Sequence, residues 1–367
     1  MTHRVTLDDI AVAANVSKAT VSKALNDTGQ LAAHTRRLVL KTAEDLGYRK
    51  PISASAMQRK TGLIGLVSAD LEGRFSTPAL IGAENTLGTT NHAVLLTNSR
   101  GDPKLERAHI DQLAARGIDG LLVLGGETDL RPPIKPNTAL GVPIVYAYAP
   151  STDPNDCSVT CDNVSAGAMA INHLLSHGRR HIVIISGPEH YQATKDRLAG
   201  ARRAAEQAGI RLAAPVRYGS WREAWGRTAT RLLLEDDVHV DGIYCLNDML
   251  ARGAIETLHD WDLRVPEDVE VIGHDNWAVT ATECRVPITS FDNNLQEIGR
   301  RAARQLLDAI KGNPHHGTTY IGCSLVTRKS HPPRPYRPIY DDIARIHVVH
   351  AGDIVKEGKG KEKERTR

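Results

Sequence analysis

The stretch TLDDIAVAANVSKATVSKALN, residues 6–26, predicts two short helices joined by a tight turn. Thr6 and Asp9 have the spacing of a capping box, with Asp in place of the usual Glu, and apolar residues then recur on one helical face. Asn15 tolerates a left-handed backbone, so it can end the first helix sharply. Ser17 is a favourable N-cap for the second helix. Residues 6–26 therefore predict a helix-turn-helix.

The predicted second helix has an apolar side and a polar side. Val21 and Leu25 face the first helix. The outward positions carry side chains suited to phosphate oxygens and base edges, and these are Lys18, Ala19, Ser22 and Lys23. A third helix, from about residue 35 to residue 47, would close a small core through Leu38, Val39, Ala43 and Leu46. The pattern alone also fits a small helical bundle with a solvated lysine face.

Composition limits the class of protein. The chain has 367 residues, of which 41% are hydrophobic and 24% charged, as in an ordinary soluble protein with more than one core. It shows no signal peptide and no apolar run long enough to span a bilayer, so we expect a cytoplasmic protein without a membrane partner. The net charge of +3 is too small to indicate a nucleic-acid partner by itself.

The cysteines do not predict a disulfide framework. There are five of them, an odd number without regular spacing, which favours reduced thiols. Cys157 and Cys161 have the spacing of half a metal site, but no second pair follows them. We therefore expect neither a metal site nor a cofactor.

From residue 62 onward, short apolar runs alternate with amphipathic stretches. The runs are rich in Val and Ile and bounded by Gly or Pro, as in buried parallel strands, and they read LIGLV, HAVLLTN, GLLVLG, PIVYAYA, HIVIISG, GIYCLN and VEVIGHD. Helical patterns lie between them, notably at residues 163–176, 192–208, 221–234 and 247–258. Strict alternation predicts an α/β fold with doubly wound parallel sheets, and a change of sheet near SVTCDN, residues 158–163.

These patterns divide the chain into four parts. Residues 1–48 form the helix-turn-helix module, residues 49–61 a basic, small-residue-rich linker, and residues 62–330 a body with two sheets. Residues 331–367 begin with prolines and end with a run of charges, so we expect an extension that is disordered at its end.

Several of these motifs together resemble the LacI/GalR family of bacterial transcriptional regulators. The resemblance runs from about residue 5 to residue 330 and includes TRRLVLKTAEDLGY, HLLSHGRRHIVIISGP, DRLAGARRAAEQAG, CLNDMLARGAIETL, VPEDVEVIGHDNW and ITSFDNNLQEIGRRAARQLL. It implies a body similar to periplasmic sugar-binding proteins, with two lobes, a cleft between them and a chain that crosses the hinge three times.

The resemblance also implies which residues contact DNA. Lys18, Ala19 and Lys23 match positions that read base edges in the major groove. The residues that match phosphate contacts are Thr6, Ser17, Thr20, Ser22 and Asn26. In the linker, Ala54 is kept and Met57 stands where the family has Leu, so we expect Met57 to insert into the minor groove; a flexible tether is the alternative. Asn15 replaces the family's usual Gly and can adopt the same backbone.

By the same resemblance, the cleft holds a small-molecule effector. Arg197, Asn247, Asp248 and Asp275 match polar contacts of the family, and Trp221 matches an aromatic that stacks on the ligand. Asp70 and Phe75 follow the first strand and match further pocket positions. Carboxylate, amide and guanidinium groups suit vicinal hydroxyls, and an indole suits the apolar face of a sugar ring. Asn247 could also cap its own helix, and Trp225 is expected in the core or at the rim.

The resemblance implies a repressor of sugar-utilisation genes, released from a palindromic operator by a sugar. A corepressor-dependent regulator that binds a purine or nucleoside is the alternative. The expected partners are double-stranded operator DNA, the effector and a second copy of the chain, as a homodimer or a tetramer. Phosphate-loop, dinucleotide and nucleophile-elbow motifs are absent from the sequence, so we do not expect an enzyme. A transport-type binding protein is disfavoured because of the N-terminal module.

Overall fold

The structure, a computed structural model, describes residues 6–26, 31–46, 60–71, 74–134, 141–332 and 347–349. The chain divides into two compact units, residues 1–60 and residues 61–367. Among the described residues, no helix is both long enough and apolar enough to cross a membrane.

In its described residues, the first unit contains three helices, α1 (Leu7–Ala13), α2 (Lys18–Asn26) and α3 (Ala33–Asp45). The predicted capping box at Thr6 and Asp9 is present. Asn15 has φ of 50°, which confirms the left-handed turn between α1 and α2. The core of this unit consists of Ile10, Ala14, Val21, Ala24, Val39 and Ala43. The helix-turn-helix prediction is confirmed.

Two leucines of the third helix were wrongly assigned to this core. Leu38 is 41% exposed and Leu46 is 38% exposed, whereas Val39 and Ala43 are buried. The physical reason is that α1 and α2 are short and cover only one face of α3. That face carries Val39 and Ala43, which lie one helical turn apart, and Leu38 lies outside it. Leu46 also lies beyond the last residue of the helix.

The second unit is built on two sheets, each the centre of one lobe. The sheet of the first lobe has the spatial order β13 (His347–Val349), β11 (Gly317–Gly322), β5 (Cys157–Asp162), β4 (Ile144–Ala147), β3 (Gly120–Leu124), β1 (Leu63–Ser68) and β2 (Ala93–Asn98). The sheet of the second lobe has the order β12 (Ser324–Val326), β10 (Thr289–Asp292), β9 (Glu270–His274), β8 (Gly242–Cys245), β6 (Ile182–Ser186) and β7 (Arg217–Tyr218). Pairing is parallel except at β13 and β12, which lie antiparallel at the edges.

Helices cover both sheets, as the alternating pattern predicts. Those of the first lobe are α4 (Ser76–Gly88), α5 (Pro103–Ala115) and α11 (Leu295–Ile310). Those of the second lobe are α6 (Asn163–Ser176), α7 (Gln192–Gln207), α8 (Glu223–Glu235), α9 (Asp248–Asp260) and the single turn α10 (Ala278–Ala281). The doubly wound α/β prediction is confirmed.

Between residues 62 and 330, the chain passes between the lobes three times. It leaves the first sheet at the end of β5, which confirms the change of sheet expected at residues 158–163. It returns between β10 and α11, and crosses again between β11 and β12. These crossings place the carboxyl ends of strands from both sheets around the cleft, where open α/β sheets bind ligands.

Several strands were not among the predicted runs, and these include β7, β10, β11, β12 and β13. His347–Val349 pairs with Thr318–Tyr320 of β11, within the extension that the sequence marks as disordered at its end. Residues 333–346 and 350–367 lie outside the described residues.

Glycines set the close packing of the helix that carries part of the cleft. A Cβ on Gly167 of α6 would overlap the carbonyl oxygen of Arg197 in α7, and Gly200 of α7 makes the reciprocal approach to α6. Gly82 and Gly299 do the same for α4 and α11. Because backbone atoms cannot move aside as a flexible side chain can, these helix pairs depend on the missing side chains.

We expect Gly167→Ala to lower the free energy of unfolding by about 3 kcal/mol, since the new methyl group must push α7 away from α6. Gly88→Ala is the matched control, because a Cβ there meets only a flexible Glu84 oxygen, at 3.7 Å. Urea denaturation of the two variants measures the difference. Equal midpoints would show that α6 and α7 have room for a side chain.

Candidate functional site

The outward face of α2 is arranged for contact with another molecule. Lys18, Ala19 and Lys23 are exposed. The Ser17 hydroxyl accepts a hydrogen bond from the Thr20 backbone N–H at 3.1 Å, so Ser17 caps the helix. Lys18 pairs with Asp8 at 2.7 Å, but both side chains are largely exposed, so the pair contributes little and can be exchanged for a phosphate.

The structure describes only some of the remaining residues that are predicted to contact DNA. Thr6 is exposed and caps α1, Ser22 is half-buried on α2, and Asn26 is the last residue of α2. Ala54 and Met57 lie outside the described residues.

The predicted effector residues meet in the second unit. Six of the seven line one cavity of about 470 Å³ between the two lobes: Asp70, Phe75, Arg197, Trp221, Asn247 and Asp275. The first two come from the first lobe and the others from the second. Asp275 directly follows β9, and Asn247 lies two residues after β8, so both stand at carboxyl ends of parallel strands.

A buried arginine forms the polar floor of this cleft. Arg197 donates through Nε to Asn163 Oδ1 at 2.8 Å, through Nη1 to the Leu246 carbonyl oxygen at 2.5 Å, and through Nη2 to Asp275 Oδ1 at 3.4 Å. These contacts fix the guanidinium group. Asp275 itself has φ of 94°, a left-handed conformation that costs free energy for a residue with a side chain and is enriched at binding sites.

Behind Asp275, a chain of buried hydrogen bonds holds its carboxylate. Asn293 donates to Asp275 Oδ1 at 3.2 Å, and Asn293 Oδ1 lies 3.0 Å from His274 Nε2. The Tyr244 hydroxyl lies 3.1 Å from His274 Nδ1. Burial and the nearby Arg197 charge hold the pKa of His274 well below its usual value, so this histidine is neutral, with its proton on Nε2. The chain therefore orients one oxygen of Asp275 away from the cleft and leaves the other for a ligand.

Aromatic rings form the walls of the cleft. The Phe75 and Tyr148 rings stack at 5.4 Å, with an interplanar angle of 21°. Trp221 packs its indole on the backbone of Gly187. The Tyr191 ring lies at a steep angle to the indole, with ring centroids 6.0 Å apart. Flat apolar faces combined with carboxylate and guanidinium groups suit a ring with hydroxyl substituents.

Several residues that line the cavity were not predicted, among them Arg74, Glu127, Tyr148, Tyr191 and Trp277. Two of them had a detectable signal, because Glu127 and Tyr148 come shortly after the carboxyl ends of β3 and β4. Partial removal from water and the neighbouring Asp129 carboxyl raise the pKa of Glu127 to about 7.

Three expectations for the second lobe have different outcomes. Asp248 does not line the cavity; it is buried and accepts hydrogen bonds from the Ser290 hydroxyl and the Trp277 backbone, so its assignment to the ligand was wrong. Asn247 caps α9 and also donates to the Trp221 carbonyl oxygen at 3.2 Å. Trp225 packs in the second-lobe core, as expected.

The fold and the cleft together define a class: a helix-turn-helix module in the same chain as a two-lobed small-molecule-binding body. Residues 6–50 match the bacterial regulatory proteins of the lacI family, and residues 171–331 match a periplasmic binding protein-like domain. The chain belongs to the lacI family of bacterial regulatory proteins.

Relatives of known description support this membership. The HTH-type transcriptional repressor CytR of Escherichia coli K12 is 30% identical over 328 residues, which cover 89% of this chain and 96% of CytR. The HTH-type transcriptional regulator CelR of Thermobifida fusca is 32% identical over 319 residues, which cover 84% and 93%. A solved structure of a CelR–cellobiose complex superimposes with a TM-score of 0.59 at 28% identity, covering 89% of this chain and 100% of that one.

Asp248 makes stability depend on pH. Burial, followed by the charge of Asp275, raises its pKa to about 7 in the folded protein, against an ordinary value of 3.8. The folded state therefore binds a proton that the unfolded state releases, and stability falls as pH rises from about 4 to about 7. Asp248→Asn does not titrate, so its stability relative to wild type should increase by about 2 kcal/mol between pH 5.5 and pH 8. Urea denaturation at both pH values measures this, and a difference that is constant with pH would contradict it.

Proposed function

We propose that this protein is a sequence-specific transcriptional repressor whose binding to operator DNA is controlled by a small molecule in the cleft. The observation that carries the proposal is the presence, in one chain, of an exposed α2 face with two lysines and a cleft with a fixed Arg197–Asp275 pair. The relatives CytR and CelR are transcriptional regulators, and the proposal assigns no catalysis to the cleft.

We propose an uncharged sugar as the effector. Asp275 and Arg197 offer an acceptor and a donor to adjacent hydroxyls, while Trp221 and the Phe75–Tyr148 stack offer apolar faces. The relative CelR has been solved in complex with a sugar, cellobiose. A purine or nucleoside acting as corepressor is the second candidate, and the parallel Phe75 and Tyr148 rings favour it because they suit a flat base.

A thermal-shift screen separates the two candidates. Purified protein is heated with mono- and disaccharides in one set and with nucleosides and purine bases in the other. The sugar proposal requires stabilisation by a member of the first set. Each stabilising compound is then tested for release or enhancement of binding to genomic fragments captured by the protein. Turnover of the stabilising compound would identify an enzyme instead.

The operator is expected to be an inverted repeat bound by a homodimer in the bacterial cytoplasm. One helix-turn-helix covers too little DNA for tight specific binding, whereas two read a palindrome. The first lobe offers a surface for the second copy, because Ile81 on α4 is 43% exposed and Leu96 on the edge strand β2 is 40% exposed. A monomer that binds a half-site with full affinity would contradict the dimer.

The switch follows from differential affinity. A ligand shifts an equilibrium only as far as it prefers one state, so the sugar must bind the closed lobes more tightly than the open ones. We propose that closure alters the arrangement of the predicted linker in the dimer and so releases the operator. Most of that linker lies outside the described residues.

Lys23→Ala should weaken operator binding by about 1–3 kcal/mol per half-site and relax base preference at the positions that Lys23 reads, if it contacts guanine. Lys104→Ala is the matched control, since Lys104 is also exposed but lies on α5 of the body. Binding is measured on a library of operator variants at fixed salt concentration. A uniform loss across all sequences would assign Lys23 to phosphate contact.

Asp275→Asn should give a repressor that binds the operator normally but responds poorly to the effector. Loss of the charged acceptor is expected to weaken binding by about 1.5–3 kcal/mol. Calorimetry with the sugar found in the screen measures the affinity, and an operator titration measures release. The control is Asp237→Asn, an exposed position in the same lobe. Unchanged sugar affinity, or loss of operator binding without sugar, would show that Asp275 is only structural.

A further inference from the structure

Three histidines of the second lobe converge on a buried carboxylate. His173 and His177 lie one turn apart on α6, His331 follows Ser330, and Glu270 begins β9. One ring nitrogen of each histidine lies within 4.8 Å of those of the other two. The cluster stands at the amino end of β9, whereas the cleft lies at its carboxyl end, about 16 Å away along the strand.

The carboxylate orients the imidazole at the centre of this cluster. Glu270 is fully buried, and its Oε1 lies 2.8 Å from His177 Nδ1 and 3.4 Å from His173 Nε2. Its Oε2 accepts from Arg179 Nε at 3.3 Å. The short contact places the proton of His177 on Nδ1 and leaves the lone pair on Nε2. A carboxylate behind a ligating imidazole is the arrangement that supports zinc ligands in proteins.

His177 Nε2, the nitrogen that does not contact Glu270, has no hydrogen-bond partner in the described part of the chain. The His177 side chain is 8% exposed, and its Nε2 makes no hydrogen bond to any described residue. His331 Nδ1 is also buried and makes no hydrogen bond to any described residue. Such atoms cost free energy unless a partner occupies the space between them. The rings are already close, with centroids 4.4 Å apart for His173 and His177, and 5.6 Å apart for His177 and His331.

We propose that His173, His177 and His331 bind a divalent transition-metal ion, with Zn²⁺ as the principal candidate. Imidazole nitrogen suits this ion, and water would take the fourth tetrahedral position. With bonds of about 2.1 Å, tetrahedral zinc holds its ligands about 3.4 Å apart. Since the nitrogens now lie within 4.8 Å of one another, they need to approach by at most about 1.4 Å, which rotation of the side chains supplies.

The metal would hold the end of the body in place. Ser330, the neighbour of His331, already donates to the Val271 carbonyl oxygen at 2.6 Å and accepts from the Thr289 backbone at 2.7 Å. A metal on His331 extends this attachment to α6 at the point where the predicted extension begins. Because the cluster and the cleft lie at opposite ends of the sheet, this proposal is independent of the effector and of the proposed function.

The test uses the full-length chain without a histidine tag, stripped with chelator and equilibrated with Zn²⁺. We expect one zinc per chain by elemental analysis and a rise in melting temperature of about 5 °C at saturating zinc. Co²⁺ in the same site should show the strong visible absorption of tetrahedral coordination. His331→Ala and His177→Leu should each lower zinc affinity at least about tenfold.

A second histidine pair provides the control. His181 and His239 are exposed, their ring centroids lie 4.3 Å apart, and the combined substitution His181→Ala with His239→Ala should leave zinc binding unchanged. His331 lies at the end of the body, so its variant is expected to fold, and circular dichroism checks this. A wild-type protein that takes up no zinc, or zinc that remains bound after His331→Ala, would overturn the proposal.

Discussion

The contacts of one guanidinium group hold the cleft together. Arg197 joins α7 to Asn163 at the start of α6, to Leu246 after β8 and to Asp275 after β9. Taking a charge out of water is costly unless counter-charge and hydrogen bonds replace the solvent, and here all three neighbours do so. Gly167 allows α7 to approach closely enough for this to occur. The binding surface of the second lobe therefore depends on helix packing as much as on its ligand-facing residues.

Asp275 shows how the second layer of the site fixes the first. Its left-handed backbone is supported by a hydrogen bond from its N–H to the Phe291 carbonyl oxygen at 2.8 Å. Its side chain is held by Asn293, which is in turn held by neutral His274. A carboxylate fixed in this way loses little conformational freedom when a ligand binds, so more of the contact energy appears as affinity. Because the Asp275 carboxylate is held rigidly, a movement of the lobes would change its distance to a bound ligand.

The parts that could be predicted from sequence are those with local causes. The capping box at Thr6 and the Asn15 turn depend on neighbouring residues, and the β strands follow from continuous Val and Ile runs between Gly and Pro. The resemblance supplied seven cleft positions, and the fold brings six of them together around one cavity. Leu38 was misplaced because helical periodicity does not reveal how much of a helix its neighbours cover.

Other features depend on contacts between distant residues, so local patterns could not predict them. Asp248 belongs to the sequence LNDM beside Asn247, and the contacts that show its carboxyl pointing inward come from Ser290 and Trp277, 42 and 29 residues away. His173 and His177 have the spacing of metal ligands on a helix, but Glu270 and His331 join them only through the sheet. The spacing of the cysteines gives no indication of this histidine cluster.

The charges of the cleft bear on the chemistry of the ligand. Arg197 and Arg74 line the same cavity as Asp275, Asp70 and Glu127, and burial raises the pKa of Glu127 to about 7, so this carboxyl group is only partly charged at neutral pH. The positive charges of the cavity are thus already balanced before a ligand enters. A phosphorylated sugar would add nearly two negative charges to a lining whose net charge is already close to zero. A neutral molecule would find donors, acceptors and aromatic faces without that cost, which supports the proposal of an unphosphorylated sugar or nucleoside as the effector.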